Sequence, residues 1–239
     1  MARYMDFEYE KNNSSIKIKK YCGSAKFVNI PSQIENLPVT EIGACAFSDC
    51  NSLTSATIPD SVKELGFSAF DHCKALTEIS MSNSVIEIGM CAFADCISLK
   101  SVSISESLKE ISIGAFLACT SLTNIKIPNS VTEIDLSAFE ECSSLKSIDI
   151  PDSVTYIGEC AFYRCSSLTS VTISNSLTKI ATWTFKDCSS LTNVIIPDPV
   201  TEIEFGAFEN CSSLKNITIQ NSAVKINSEA FWNCNALIR

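Results

Sequence analysis

The chain has 239 residues, 46% of them hydrophobic, with 27 acidic residues against 18 basic ones and a net charge of −9. This balance allows a packed core and argues against nonspecific nucleic-acid binding, which needs clustered Lys and Arg against phosphates. No apolar run reaches the length of about 18 residues that spans a bilayer, so no membrane insertion is expected, and seven Gly with seven Pro are too few for a disordered chain.

The N-terminal stretch MARYMDFEYE has no apolar signal core, which predicts either a cytoplasmic protein or a leader outside this sequence. Residues 5–31 place Phe7, Tyr9, Ile16, Ile18 and Tyr21 in short alternating runs. They predict a β-hairpin-like cap over the first turn of the body.

The rest of the chain is a repeat. Phe47, Phe70, Phe93, Phe116, Phe139, Phe162, Phe185, Phe208 and Phe231 are each 23 residues apart, with Cys three residues later and Leu six residues later. A fixed period of this size means one supersecondary unit per repeat, stable only when stacked on its neighbours. Each unit reads in three pieces. The first, as in Leu122, Ile125 and Ile127, alternates with period two and predicts a half-buried strand. After a Pro-Asn-Ser type turn, Val131 and Ile134 mark a short second strand. The third, Ala138-Phe139-x-x-Cys142, predicts a single helical turn. Identical strands one turn apart then pair in parallel as one long sheet. Ser61, Ser84, Ser107, Ser130, Ser153, Ser176 and Ser222 hold one turn slot, where the hydroxyl is expected to bond turn backbone. Pro199 replaces that Ser and Thr184 replaces an Ala, so both places are expected soft points.

Thirteen cysteines raise the question of disulfides or metal. Equivalent side chains in parallel turns point the same way, which is poor bonding geometry. Cys45, Cys91 and Cys160 share a second slot, roughly 10 and 15 Å apart at the strand spacing. Cys22 stands alone. Reduced thiols acting as small hydrophobes are expected, as in a reducing compartment. With no CxxC pair and His72 as the one histidine, no metal or cofactor is expected. Glu64, Glu87, Glu110, Glu133 and Glu202 form a ladder, as do Asp60, Glu106, Asp152 and Asp198. Adjacent carboxylates can hold calcium, but Lys63 and Lys109 point to simple surface pairing.

The pattern Leu-x-x-[Ile/Val]-x-Ile-Pro-[Asp/Asn]-Ser-Val-x-x-Ile-Gly-x-x-Ala-Phe-x-x-Cys over residues 40–237 resembles the BspA-like class of leucine-rich repeats. The segment IKIKKYCGSAKFVNIPSQIENLPVTEIGACAF is similar to the start of such proteins, with Val28 and Ile30 as a first strand. The resemblance implies an α/β leucine-rich repeat solenoid in one continuous domain, with residues 1–39 as cap and first strand and 40–239 as the repeats. It also implies a bacterial or protist surface protein that binds host proteins, matrix or other cells, hence a cell-surface or secreted location. The cytoplasm is the alternative.

There is no Gly-rich phosphate loop, nucleophile elbow or Cys/His cluster, so no enzyme is expected. Binding must use surfaces the repeat leaves free. The main strand exposes two polar ladders, and Glu78, Asn124, Lys126, Asp149, Asn193, Ile195 and Asn216 are the candidate contacts for a protein or glycan partner. The slot three before each Phe holds Ala44, Phe67, Met90, Ile113 and Leu136, then Glu159, Thr182, Phe205 and Ser228. It is expected to pack between turns, and would form a partner-type apolar stripe if exposed. The reading is a non-catalytic binding scaffold, with a self-associating structural spacer as the alternative. No strand comes after Leu237, so an open parallel edge is expected, together with continuation into further repeats, pairing with a second copy, or fraying from about Ser222.

Overall fold

The structure, a computed structural model, describes residues 2–237, so Ile238 and Arg239, which bear on the expected open edge, lie outside the described residues. The repeats wind as a β-solenoid of about nine turns. Ahead of them, Ala2–Tyr4, Phe7–Lys11 and Ile16–Tyr21 form an antiparallel meander, and Ile16–Tyr21 pairs in parallel with Leu37–Ile42. Alternation turns Phe7, Tyr9, Ile16, Ile18 and Tyr21 inward, and all five are buried. Tyr21 stacks on Phe47 with ring centroids 5.2 Å apart, and Phe7 meets Phe47 edge-on at 6.3 Å. The predicted cap is therefore present, one strand larger than a hairpin. Phe27–Asn29 is the first strand and pairs in parallel with Ser55–Thr57.

The expected long parallel sheet is interrupted, and the expected short second strands stack as a second, minor ribbon that is interrupted too. The main ribbon runs from Phe27–Asn29 through Ser55–Thr57 and Glu78–Ser80 to Ser101–Val102, and resumes from Ser147–Asp149 through Ser170–Thr172 and Asn193–Ile196 to Asn216–Ile219. The intervening segment 124–127 pairs with neither side. The minor ribbon, built from pairs such as Glu64–Leu65 and Glu133–Ile134, breaks between Ile88 and Glu110 and again between Ile157 and Lys179. Ser112 Oγ bridges the first of these breaks, donating to the Ile88 carbonyl at 2.6 Å.

Among the described residues there is no helix, and the expected helical turn is corrected to a run of tight turns. The reason is backbone handedness. In each repeat from Phe47 to Phe208, the residues two before and two after the Phe are left-handed, as in Ser68 (φ 49°) and His72 (φ 57°), Cys91 (φ 55°) and Asp95 (φ 54°), Cys160 (φ 55°) and Arg164 (φ 58°). A right-handed helix cannot pass through such residues. The N–H groups therefore alternate in use. Cys73 N donates within its turn to Phe70 O at 3.2 Å, whereas Phe70 N donates to Ala92 O in the next turn at 2.8 Å.

That axial bond recurs from Phe47 to Phe208 at 2.7–2.9 Å. It holds the phenylalanines in one buried stack; Phe116 and Phe139 lie 5.4 Å apart and 4° from parallel. Offset stacking adds to the area each ring buries. Each Phe carbonyl also accepts the Sγ–H of the Cys 26 residues later, at 3.0–3.3 Å from Cys73 to Cys211. The laddered thiols thus satisfy buried carbonyls as well as filling space.

Three expectations about turns change. The hydroxyls of Ser61, Ser130 and Ser153, each two residues after a Pro, are buried without a hydrogen-bond partner. Where that earlier residue is Ser82, Ser105 or Ser174, its own Oγ accepts from the N–H two residues on, at 3.1–3.2 Å. Pro199 does not disturb its turn, since Val200 N still donates to Pro197 O at 3.1 Å. The Thr182–Thr184 region is knitted rather than soft: Thr184 Oγ1 donates to Ala181 O at 2.8 Å, and Glu204 accepts from Thr182 N at 2.9 Å and from Lys179 Nζ at 2.9 Å. Burial works against the Glu204 carboxylate, but these bonds hold its pKa below the ordinary value. The last described turn is less covered, with Ile226 and Trp232 exposed, yet Leu237 N still donates to Cys234 O.

Replacing Phe116 or Phe139 with Ala should cost about 3–5 kcal/mol, read by urea unfolding. A fall of less than about 1 kcal/mol in both variants would show that the stack is not the core. Ser130→Ala and Ser153→Ala should each raise stability by about 1 kcal/mol, because each removes a buried hydroxyl without a partner. A lower urea midpoint at unchanged slope would count against this.

Candidate functional site

The exposed face of the main ribbon is built by alternation: Ile79, Ile148 and Val194 point into the core, and their neighbours point to solvent. The structure exposes all seven sequence-predicted contacts. Glu78, Asp149, Asn193, Ile195 and Asn216 sit on strands, whereas Asn124 and Lys126 sit on the unpaired segment. Glu78, Asn124 and Lys126 line one depression of about 520 Å³, and Asn124, Lys126 and Asp149 line a second of about 890 Å³. Asn193, Ile195 and Asn216 lie outside both. Ile195 is 57% exposed, and Asn216 Nδ2 donates to Asn193 Oδ1 at 2.8 Å.

The two depressions meet where the ribbon is open. Among the described residues, no main-chain hydrogen bond involves Asn124, Ile125, Lys126 or Ile127, although Ile125 and Ile127 stay buried. Residues 124–127 there make no main-chain hydrogen bond to a neighbouring turn, a feature the sequence does not signal because Asn-Ile-Lys-Ile keeps the ordinary alternation. Around it, Lys126 Nζ lies 3.1 Å from Glu106 Oε1, Thr172 Oγ1 donates to Asp149 Oδ1 at 2.7 Å, and Asn175 N donates to Asp152 Oδ1 at 2.8 Å. The surroundings mix both charges with neutral donors and acceptors, suited to a polar ligand recognised by hydrogen bonds.

Three further arrangements differ from the favoured sequence reading or are absent from it. First, the slot three before each Phe is not packed between turns. Phe67 is 50% exposed, Met90 46% and Leu136 39%, because the left-handed residue that comes next turns the chain and points these side chains outward. Second, the slot two after each Phe forms a polar ladder: Arg164 Nη1 lies 2.7 Å from Glu141 Oε1, Asn210 Nδ2 donates to Asp187 Oδ1 at 2.6 Å, and Asn233 Nδ2 donates to Asn210 Oδ1 at 2.9 Å. Its Asp and Asn content was a signal for left-handed backbone. Third, Asp71, His72 and Asp95 bring potential ligand atoms within 4.8 Å of one another; His72 Nδ1 is 2.8 Å from Asp71 Oδ1 and its Nε2 is 3.7 Å from Asp95 Oδ2. The set is partly exposed and lacks the fourth ligand of a closed structural zinc site.

The expected pairing of Lys63 and Lys109 with the Glu ladder is corrected: among the described residues, no ion pair includes Glu64, Glu87, Glu110 or Glu133. The thirteen cysteines are free, seven of the nine laddered ones are buried, and Cys50 and Cys234 are half-buried. Burial pushes the Cys119 and Cys165 thiols well above their ordinary pKa, which disfavours the thiolate that nucleophilic or metal chemistry needs.

These ladders define a leucine-rich repeat solenoid, a fold that is typically a non-enzymatic scaffold. The chain belongs to the family described as the BspA type leucine rich repeat region, matched in six copies over residues 15–144 and 109–238. Among solved structures it is similar to a leucine-rich repeat protein of T. pallidum, at 27% identity over 99% of this chain and 90% of that one, with a TM-score of 0.56. A leucine-rich repeat protein from Eubacterium ventriosum matches in fold at 19% identity over 95% of this chain and 86% of that one, also at 0.56. A leucine rich cell surface protein from Faecalibacterium prausnitzii matches at 25% identity over 99% and 93%, at 0.48. No curated protein matches the chain.

Thiol labelling should leave Cys73, Cys96, Cys119, Cys142, Cys165, Cys188 and Cys211 unmodified until the protein is denatured, while exposed Cys22 and Cys45 react at once. Rapid native modification of most of the seven would contradict the buried-thiol arrangement.

Proposed function

We propose that the protein is a non-catalytic binding scaffold that engages a protein or glycan partner on the exposed face of the main ribbon, adhesin-like and displayed at a cell surface or secreted. The observation that carries this reading is the open segment 124–127 at the junction of the two depressions. A ligand there gains hydrogen bonds from the side chains of Asn124, Lys126 and Asp149, without breaking any strand pairing. Glu78 borders one side, and Asn193, Ile195 and Asn216 extend the same face for a longer partner. The alternative, a self-associating spacer, draws on exposed Ile226 and Trp232 in the last described turn.

Binding to immobilised matrix proteins and to a glycan array, followed by titration of the hits, tests the reading. Lys126→Ala combined with Asp149→Ala should weaken the chosen ligand by at least about tenfold, equivalent to 1.4 kcal/mol, while Lys74→Ala leaves it unchanged. No hit in either format, alongside concentration-dependent dimers by sedimentation, would favour the spacer. Equal loss in all variants would move binding off this face.

A further inference from the structure

A second surface lies on the flank formed by the minor ribbon and the turn after it. Phe67, Met90 and Leu136 project into solvent there, with Ile113 half-buried between them and Ile86 exposed alongside. Phe67, Ile86, Met90 and Ile113 line a depression of about 560 Å³ together with Glu87 and Glu110. An apolar stripe of this kind, rimmed by polar groups, marks a contact surface.

Beside the stripe runs a row of like charges. Glu64 and Glu87 are directly opposed in the ribbon, as are Glu110 and Glu133. Directly opposed like charges destabilise a sheet, and none of these four carboxylates has an ion-pair partner among the described residues. Glu41, the next in the row, is held by Lys17. Lys63 and Lys109 are the cations on the same edge, and Asp135 adds a further negative charge at its far end.

Both features occupy the same turns. Further along, the Glu slot reads Tyr156, Lys179, Glu202 and Lys225, and the apolar slot reads Glu159, Thr182, Phe205 and Ser228. The exposed stripe and the unpaired acids are thus two separate costs placed side by side, and one occupant relieves both.

Spacing selects its conformation. Successive turns repeat at roughly 4.8 Å, and an α-helix presents one side chain per 5.4 Å of pitch. The mismatch is about 2 Å over the four positions from Phe67 to Leu136. An extended strand presents same-face residues about 6.7 Å apart and drifts by more than one whole turn over the same distance. We infer that this flank docks a basic amphipathic helix of a partner protein, its apolar side on the Phe67–Leu136 stripe and its Lys or Arg residues over Glu64, Glu87, Glu110 and Glu133. This is helix-in-groove recognition on a surface separate from the main-ribbon face.

The test uses the whole chain and two fluorescent 18-residue peptides of identical Leu and Lys content. One is ordered as an amphipathic helix and the other is scrambled to remove the apolar stripe. Fluorescence anisotropy should show the helical peptide binding at least about tenfold more tightly than the scrambled one, with an affinity that falls as salt rises. Glu64→Gln, Glu87→Gln, Glu110→Gln and Glu133→Gln combined should abolish that preference, as should Met90→Ser with Leu136→Ser. Removing the same amount of charge elsewhere, by Asp6→Asn, Asp60→Asn, Asp198→Asn and Glu229→Gln at exposed positions outside both surfaces, should preserve it. Circular dichroism and thermal melting confirm that each variant is folded; the Gln set should melt no lower than the parent, because it removes like-charge repulsion. Equal binding of both peptides, or equal loss in the two charge-neutralised variants, would reduce the effect to general attraction by an acidic protein and overturn the inference.

Discussion

Everything in this molecule depends on the hydrogen bond from each spine Phe N–H to the carbonyl just before the next Phe, one turn away. It fixes the rise per turn, and with it the stacking of the rings and the docking of each Cys Sγ on a Phe carbonyl. It also forces any residue to sit over its counterpart 23 positions back. Stability is therefore a sum over near-identical interfaces, and surface chemistry comes as ladders: a favourable neighbour is repeated, and so is an unfavourable one.

The period, the core and the exposed strand face were legible because they depend on side-chain type at fixed slots. Phe47, Leu53 and Ile79 are buried where the alternation put them, and Glu78, Lys126 and Asp149 face solvent. Features that depend on backbone handedness were not legible. The slot two before each Phe holds Cys45, Ser68, Gly114 and Trp183, which share a positive φ and little else. Reading that piece as helical put Phe67 and Met90 on the Phe side of a helix. The left-handed residue instead turns them outward. The open segment at Asn124–Ile127 is likewise silent in sequence, since strand pairing there depends on how two whole turns approach. The grouping of Asp71, His72 and Asp95 is only half legible, since Asp71 adjoins His72 in sequence but Asp95 comes from the next turn.

The two exposed surfaces differ in physical character. The main-ribbon face presents hydrogen-bonding groups of both charges around the open segment 124–127, which favours ligands recognised by direction. The minor-ribbon flank presents apolar area beside one sign of charge, which favours ligands recognised by area and Coulomb attraction. A repeat protein can carry both because each slot of the unit varies without disturbing the others, provided the spine residues remain.

The interruptions in the two ribbons matter for a body that transmits load along its axis. The main ribbon is open on both sides of segment 124–127, where the minor ribbon pairs Glu110–Ile111 with Glu133–Ile134 and these with Tyr156–Ile157. The minor ribbon is open between Ile88 and Glu110, where Glu78–Ser80 still pairs with Ser101–Val102, and between Ile157 and Lys179, where Ser147–Asp149 still pairs with Ser170–Thr172. The Phe bonds continue through all of these. The gaps are staggered like the joints of a brick course, so a fracture plane across any of these interfaces must cut the spine and one ribbon together. A solenoid pulled from its ends carries the same tension through every interface in series, and this one has no through-going seam at which to part.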